Sequence, residues 1–186
     1  MIVGFDVDDM ILDTATFLLR HVNLLYGTSF RKEDIETNIE SLFGERKDEV
    51  ERELHRLMES RADEILPLEG AVETILRVAE KHMTIAVTRR ARMDEITRLS
   101  LKTHCGDAIE EVYFAGLNGN RRPKKSEVLS RVKVYRYFDD DPRIAYDCAK
   151  VGIKVGLFNQ PWNQKFIQHE NIAKIYGWNR VEDFLK

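Results

Sequence analysis

Residues 5–14 read FDVDDMILDT: a short apolar run ends at Phe5, and Asp6, Asp8 and Asp9 follow within four positions. A carboxylate at the end of a buried strand destabilises the fold unless something compensates it. Two carboxylates this close repel each other, and a divalent cation relieves that repulsion. An Asx-turn or a helix cap also places aspartate at a strand exit, but three aspartates in four residues exceed what a cap needs. The stretch therefore reads as a buried strand, Met1–Phe5, running into an acidic turn. No basic segment precedes it and the aspartates interrupt its apolar run, so it is not expected to be a secretory leader.

Similar short runs recur downstream: Thr84–Val87 (TIAV), Glu111–Ala115 (EVYFA), Val134–Phe138 (VYRYF) and Ile153–Phe158 (IKVGLF), with a shorter one at Asn171–Tyr176. They are rich in β-branched and aromatic residues, as buried parallel strands are. Arg136 is the discordant residue. Amphipathic stretches alternate with them at Ala71–Lys81, Met93–Thr103, Lys125–Val132 and Pro142–Val151, and Val181–Leu185 suits a terminal helical turn. Strand alternating with helix predicts an α/β chain: a Rossmann-like parallel sheet covered by helices on both faces. In such sheets ligands bind beyond the carboxyl ends of the strands.

One interval breaks the rhythm. Residues 6–83 separate the first two strands, far more than one crossover helix uses. Ala15, Leu18, Leu19, Val22, Leu25 and Tyr26 form one helical stripe, with Gly27 placed to cap it. Val50, Leu54, Leu57 and Met58 form another, and Glu33–Phe43 suits a shorter helix. The expected division is an α/β core of residues 1–12 and 67–186, with a small helical cap, residues 13–66, inserted after the first strand.

The chain has 186 residues, 29 basic and 32 acidic side chains and a net charge of −3. A chain of this length buries about 70% of its unfolded surface, so neither disulfides nor a structural metal is required. The near-neutral balance argues against a dedicated nucleic-acid binder. No apolar run approaches the roughly 20 residues of a membrane span. Cys105 and Cys148 lie far apart without metal-ligand spacing, and are expected as free thiols in a reducing cytoplasm. Oligomeric state is not legible.

Three more clusters follow predicted strands. At TRR (Thr88–Arg90), a hydroxyl followed by guanidinium groups suits a phosphate oxygen, although Thr88 alone also suits a helix cap. In RRPKKSEVL (121–129), Lys124 or Lys125 opens a predicted helix, where the helix dipole disfavours a cation unless an anion lies close by. A solvated loop charge is the commoner reading of any one such lysine. In FDDDPRIAYDCAKVG (138–152), Asp141 and Pro142 suit a helix cap and first turn, which leaves Asp139 and Asp140 unexplained by capping. All four acidic or basic clusters lie at carboxyl ends of different strands, so they can share one rim. Together they describe a magnesium and phosphate site, flanked by the basic stretches Arg89–Arg92 and Arg121–Lys125, which would concentrate an anionic substrate.

In this order the motifs resemble those of the haloacid dehalogenase superfamily of phosphohydrolases, from Phe5 to about Gly152. The resemblance implies that Asp6 is a nucleophile forming an aspartyl-phosphate and that Asp8 is the general acid and base. It maps the second-motif hydroxyl to Thr88 and the lysine to Lys125, the latter because KSEVL sits in the family's lysine-plus-helix position. It places the Mg2+ ligands at Asp6, Asp8 (through its backbone carbonyl) and Asp140, with Asp139 as neighbour. Asp139 and Arg89 are further candidates for contacting the substrate phosphate, Arg89 from the guanidinium chemistry of TRR rather than from the resemblance, since some deoxyribonucleotidases carry small residues there. Asp9 stands where glycine is usual, and Met10 where Thr or Val is usual. Crowding of carboxylates is expected to raise the pKa of Asp8, which must carry a proton to act as an acid. GLFNQPWN (156–163), IYGWNRVEDFL (175–185) and the T-x-R of the second motif are similar to deoxyribonucleotidase-like members, which implies a nucleoside monophosphate substrate. Phe17, His21, Tyr26, Phe30 and Phe43 are aromatic candidates for contacting it, although each more often packs a cap's own core.

Two alternatives stay open: a phosphatase of another small phosphorylated metabolite, and a non-catalytic phosphate- or metal-binding module built like a response-regulator receiver. A dinucleotide-binding enzyme is disfavoured, since no G-x-G-x-x-G follows the first strand.

Overall fold

The computed structural model describes residues 1–116 and 122–186. Six strands form one sheet: β1 (Ile2–Phe5), β2 (Met83–Thr88), β3 (Glu111–Phe114), β4 (Arg136–Asp139), β5 (Lys154–Phe158) and β6 (Ile172–Ile175). All neighbours are parallel, in the order β3-β2-β1-β4-β5-β6. The helices are α1 (Thr14–Tyr26), α2 (Lys47–Arg61), α3 (Ala71–Ala79), α4 (Asp94–Cys105), α5 (Lys125–Arg131), α6 (Pro142–Lys150) and α7 (Val181–Phe184). The expected fold class is the one observed.

Strand alternation sorts the core onto two faces. Phe5, Ala86 and Phe138 pack with Ile75, Leu101 and Val181 of α3, α4 and α7. Ile85, Val87, Tyr137 and Leu157 pack with Leu129 and Cys148 of α5 and α6. Both cysteines are free and buried. The strand order reverses at β1, which lies between β2 and β4. The crevice of a doubly wound sheet opens at such a switch point; here Asp6 directly follows β1, and β4 ends in Asp139 with Asp140 next.

The fourth strand starts at Arg136, two residues later than its apolar run, and ends in Asp139. Arg136 is tolerated because its Nε donates to the Phe184 carbonyl at 3.1 Å, and its guanidinium stacks on Tyr135 and Phe184. It thereby supplies positive charge to the carboxyl end of α7.

Between β1 and β2 the chain leaves and returns side by side. Asp13 N donates to the Leu66 carbonyl and Leu68 N to that of Ile11, both at 2.9 Å. The segment between has its own apolar cluster of Ala15, Leu19, Val22, Ile35, Ile39, Val50 and Leu54. Gly27 ends α1 in the left-handed conformation, at φ 64°, with its N–H on the Asn23 carbonyl. The helix expected over Glu33–Phe43 is instead two 3-10 stretches, Lys32–Asp34 and Glu40–Arg46. Local polar bonds explain the break: Asn38 accepts from the Ser41 amide through its side chain and from the Ser41 hydroxyl through its carbonyl. Such bonds compete with the helical ladder. Among the described residues no helix is long and apolar enough to cross a membrane.

Candidate active site

The site is built on the exits of β1 and β4. The Asp6 amide donates to the Phe138 carbonyl at 2.9 Å, which carries the pairing of the two strands one residue past β1. Lys125, the first residue of α5, reaches both exits. Its Nζ lies 2.7 Å from Asp6 Oδ1 and 2.9 Å from Asp139 Oδ2, and only 2% of its side chain is exposed. Burial pulls the lysine pKa down, but Asp139 and Asp6 outweigh it and hold the ammonium well above its ordinary value. Lys124 takes no part; its amide donates to Glu127 Oε2 instead.

Asp139 is fully buried and fully engaged. Oδ2 accepts from Lys125 and from the Tyr137 hydroxyl at 2.7 Å, while Oδ1 accepts from the Asp141 amide at 2.8 Å. It is an anchor for Lys125. Asp140, beside it, has no cation contact among the described residues. Its Oδ2 accepts from the Trp162 indole N–H at 2.8 Å, and its carbonyl from Asn163 Nδ2 at 2.7 Å. Burial, then repulsion from Asp139, Asp9 and Asp6, raises the Asp140 pKa far above the carboxylate range. Burial likewise raises Asp6 to about 7, against the pull of Lys125.

Oxygen atoms of Asp6, Asp139 and Asp140 lie within 4.8 Å of one another. Of the five carboxylates Asp6, Asp8, Asp9, Asp139 and Asp140, four pair with Lys125, Arg90 or Lys32, and Asp140 has no ion pair among the described residues. An oxygen-only donor set with excess negative charge fits a hard divalent ion such as Mg2+.

Asp8 departs from expectation. Arg90 Nε lies 3.1 Å from both of its carboxylate oxygens, Arg90 Nη2 lies 2.7 Å from Oδ1, and the Thr14 hydroxyl donates to Oδ1 at 2.6 Å. Burial pushes the Asp8 pKa up, but the guanidinium outweighs it, so the pKa is lowered, not raised by carboxylate crowding. Arg90 is 4% exposed and its Nη1 has no partner among the described residues. The TRR motif pointed to guanidinium chemistry but not to which arginine turns inward.

Arg89 instead lies 3.2 Å from Asp141 Oδ2, and Asp141 caps α6 through the Arg143 amide. Thr88 is fully buried at the end of β2, and its hydroxyl accepts from the Arg90 amide at 3.2 Å. It makes no hydrogen bond to Asp6, Asp8 or Lys125 among the described residues. Of the basic stretches, Arg121 lies outside the described residues, and Arg122 pairs with Asp94 at 3.0 Å.

Asp9 takes the left-handed backbone, φ 53°, that the glycine usual at this position takes freely. Its Oδ1 accepts from Lys32 Nζ at 3.0 Å and from the Ala15 amide at 3.1 Å, which directs it away from ion ligation. Burial raises its pKa to about 6 despite Lys32. Lys32 also lies 3.1 Å from Asp13 Oδ1 and 5.5 Å from the centre of the Trp162 ring. Sequence reasoning missed Lys32 and the roles of Gln160, Trp162 and Asn163; the QPWN stretch carried only a family likeness.

No family model matches the chain, and no curated protein matches it. Solved structures do. A haloacid dehalogenase-like family hydrolase from Streptococcus pneumoniae superposes with a TM-score of 0.66 at 11% identity, over 100% of this chain and 98% of that one. A hydrolase of the same superfamily, subfamily IA, from Geobacter sulfurreducens gives 0.59 at 16%, over 100% and 96%. Protein tyrosine kinase A from Mycobacterium tuberculosis gives 0.63 at 15%, over 98% and 97%. At such identities the likeness concerns fold, and one fold serves several chemistries. The six-stranded parallel α/β architecture of this chain is thus the fold seen in haloacid dehalogenase-like hydrolases.

Proposed function

We propose that this chain is a Mg2+-dependent phosphomonoesterase acting through an aspartyl-phosphate on Asp6. The observation that supports it best is the buried cluster of Asp6, Asp139 and Asp140, with Lys125 bridging the first two. The carboxylates of Asp6 and Asp140 and the backbone carbonyl of Asp8 would hold the ion. When bound, Mg2+ supplies charge neutralisation between an anionic nucleophile and an anionic phosphate ester.

The residues of the chain then divide the work. Asp6 attacks phosphorus and the ester P–O bond breaks. Lys125 keeps Asp6 ionised and, with Thr88, orients the phosphoryl oxygens. Asp8 gives a proton to the departing alkoxide. In the second half it takes one from the water that attacks the aspartyl-phosphate, and inorganic phosphate leaves. The acid step requires Arg90 to loosen its grip on Asp8, and an incoming phosphoryl group competes for that guanidinium. Residues 13–66 act as a cap that excludes water from the rim.

A nucleoside monophosphate is the favoured substrate, on the likeness of the QPWN tail and T-x-R motif to nucleotidases. A small phosphorylated metabolite is the second reading. It is favoured by the packing of Tyr26 and Phe30 against Phe43, at 5.2 and 5.3 Å between ring centres, which commits those rings to each other. Neither nucleic acid nor membrane is a proposed partner, and the two buried free thiols suit the cytoplasm.

Hydrolysis of p-nitrophenyl phosphate tests the reaction. Asp6→Asn should lose at least about 10³-fold in kcat; equal activity would overturn Asp6 as nucleophile. Phosphate release from a panel of nucleotides and sugar phosphates separates the substrate readings, and absence of turnover on every monophosphate would favour the non-catalytic module.

A further inference from the structure

The turn after β5 touches both exits of the site. Gln160 Nε2 donates to the Asp9 carbonyl at 2.9 Å. Trp162 Nε1 donates to Asp140 Oδ2 at 2.8 Å, and Asn163, fully buried, donates to the Asp140 carbonyl at 2.7 Å and to that of Phe158 at 2.6 Å. Lys174 Nζ secures Asn163 from β6, at 2.6 Å from its carbonyl. The indole is thus held on the turn, with its single donor spent on one oxygen of Asp140, the rim carboxylate that has no ion pair among the described residues. The other oxygen of Asp140 takes no hydrogen bond among the described residues and can meet a ligand. Above the ring lies Lys32, which belongs to the segment between β1 and β2 and is held by Asp9 and Asp13.

We infer that Trp162 is a positioning residue that orients Asp140 for its ion. The inference rests on the proposed metal site and deepens it. Its physical basis is general: a donor that fixes one oxygen of a ligating carboxylate removes the rotational freedom that binding would otherwise have to remove, and the loss of such a partner typically weakens metal binding 10–100-fold.

The experiment is Mg2+ titration of the full chain by calorimetry, with tryptophan emission followed in parallel. Trp162→Phe keeps an aromatic ring on the turn and removes the N–H donor. It should weaken Mg2+ binding about 10-fold. Wild-type emission should respond to Mg2+, and the response should vanish in Trp162→Phe, because Trp178 is buried in the core with its N–H on the Met10 carbonyl. The Mg2+-induced rise in Tm should shrink in Trp162→Phe, a change that a merely structural role would not produce. Wild-type affinity or an unchanged emission response in Trp162→Phe overturns the inference and leaves the proposed function standing. A wild-type chain that binds no Mg2+ and releases no phosphate overturns the proposed function, and this inference with it.

Discussion

The rim at the ends of β1 and β4 and the segment between β1 and β2 both carry many charges, and use them in opposite ways. At the rim, Asp6, Lys125 and Asp139 are almost wholly removed from water. In the segment, the pairs Arg46–Glu49, Arg56–Glu53 and Arg61–Glu64 lie three residues apart on exposed surface. Water and salt screen the exposed pairs, so that region is held by its apolar cluster. No such screening reaches the rim, where each charge is tolerated only because of its partner. The depth of these charges decides whether they are structural, functional or decorative.

Lys125→Met would strain that contrast most. It leaves Asp6 and Asp139 buried without their cation, and should destabilise the chain by about 3–5 kcal/mol in denaturant melts, with loss of hydrolysis. Stability close to wild type would mean that the rim is wetter than the structure indicates. Leu54→Ala comes next. It opens a cavity in the small cluster of the segment, with an expected loss of about 2–3 kcal/mol, and hydrogen exchange should rise in residues 14–66 before it rises in the sheet.

Titration separates the two regions more gently. The ordinary carboxylate pKa is 3.8, and burial raises Asp6 to about 7 and Asp9 to about 6. A raised carboxylate pKa means that the folded chain binds the proton more tightly than the unfolded chain. That contribution is whole below pH 3.8 and is lost as the pH rises through about 6 and then about 7. Asp8 and Asp141, whose pKa values are lowered, act oppositely, and only on acidification below the ordinary value. The metal-free Tm should therefore fall between about pH 4 and pH 8, and added Mg2+ should raise it more at the upper end. A flat metal-free profile would contradict the burial of these acids. The smallest effect is expected from Arg46→Ala, which removes an exposed pair and should leave Tm unchanged.

Much of this molecule was legible in its residues. Short β-branched runs alternating with amphipathic stretches can bury their side chains in few ways, so the parallel sheet and the convergence of its acidic exits followed. Asp6, Asp139 and Asp140 were legible because each is an acid at the end of a buried strand, a place where chemistry must compensate the charge. Lys125 was set apart from Lys124 only by the family resemblance, since either lysine alone reads as a solvated loop charge. Strand limits were less so: Arg136 looked out of place until α7 folded back to accept its N–H. The helix expected at Glu33–Phe43 failed because local bonds of Asn38 outweighed a weak apolar period.

What stayed out of reach were partners chosen at long range. Arg90 meets Asp8 across 82 residues, Trp162 meets Asp140 across 22, and Lys32 meets Asp9 across 23. The sequence by itself determined which groups could not remain in a dry interior uncompensated, because desolvation is a property of the group. Only the tertiary structure decided which partner compensates each one, because Coulombic and hydrogen-bond energies depend on separations of a few ångströms that chain order does not encode. For that reason Asp8, equivalent on paper to its neighbours, is the acid clamped by an arginine, and Asp140 is the acid whose carboxylate, among the described residues, is held by an indole alone.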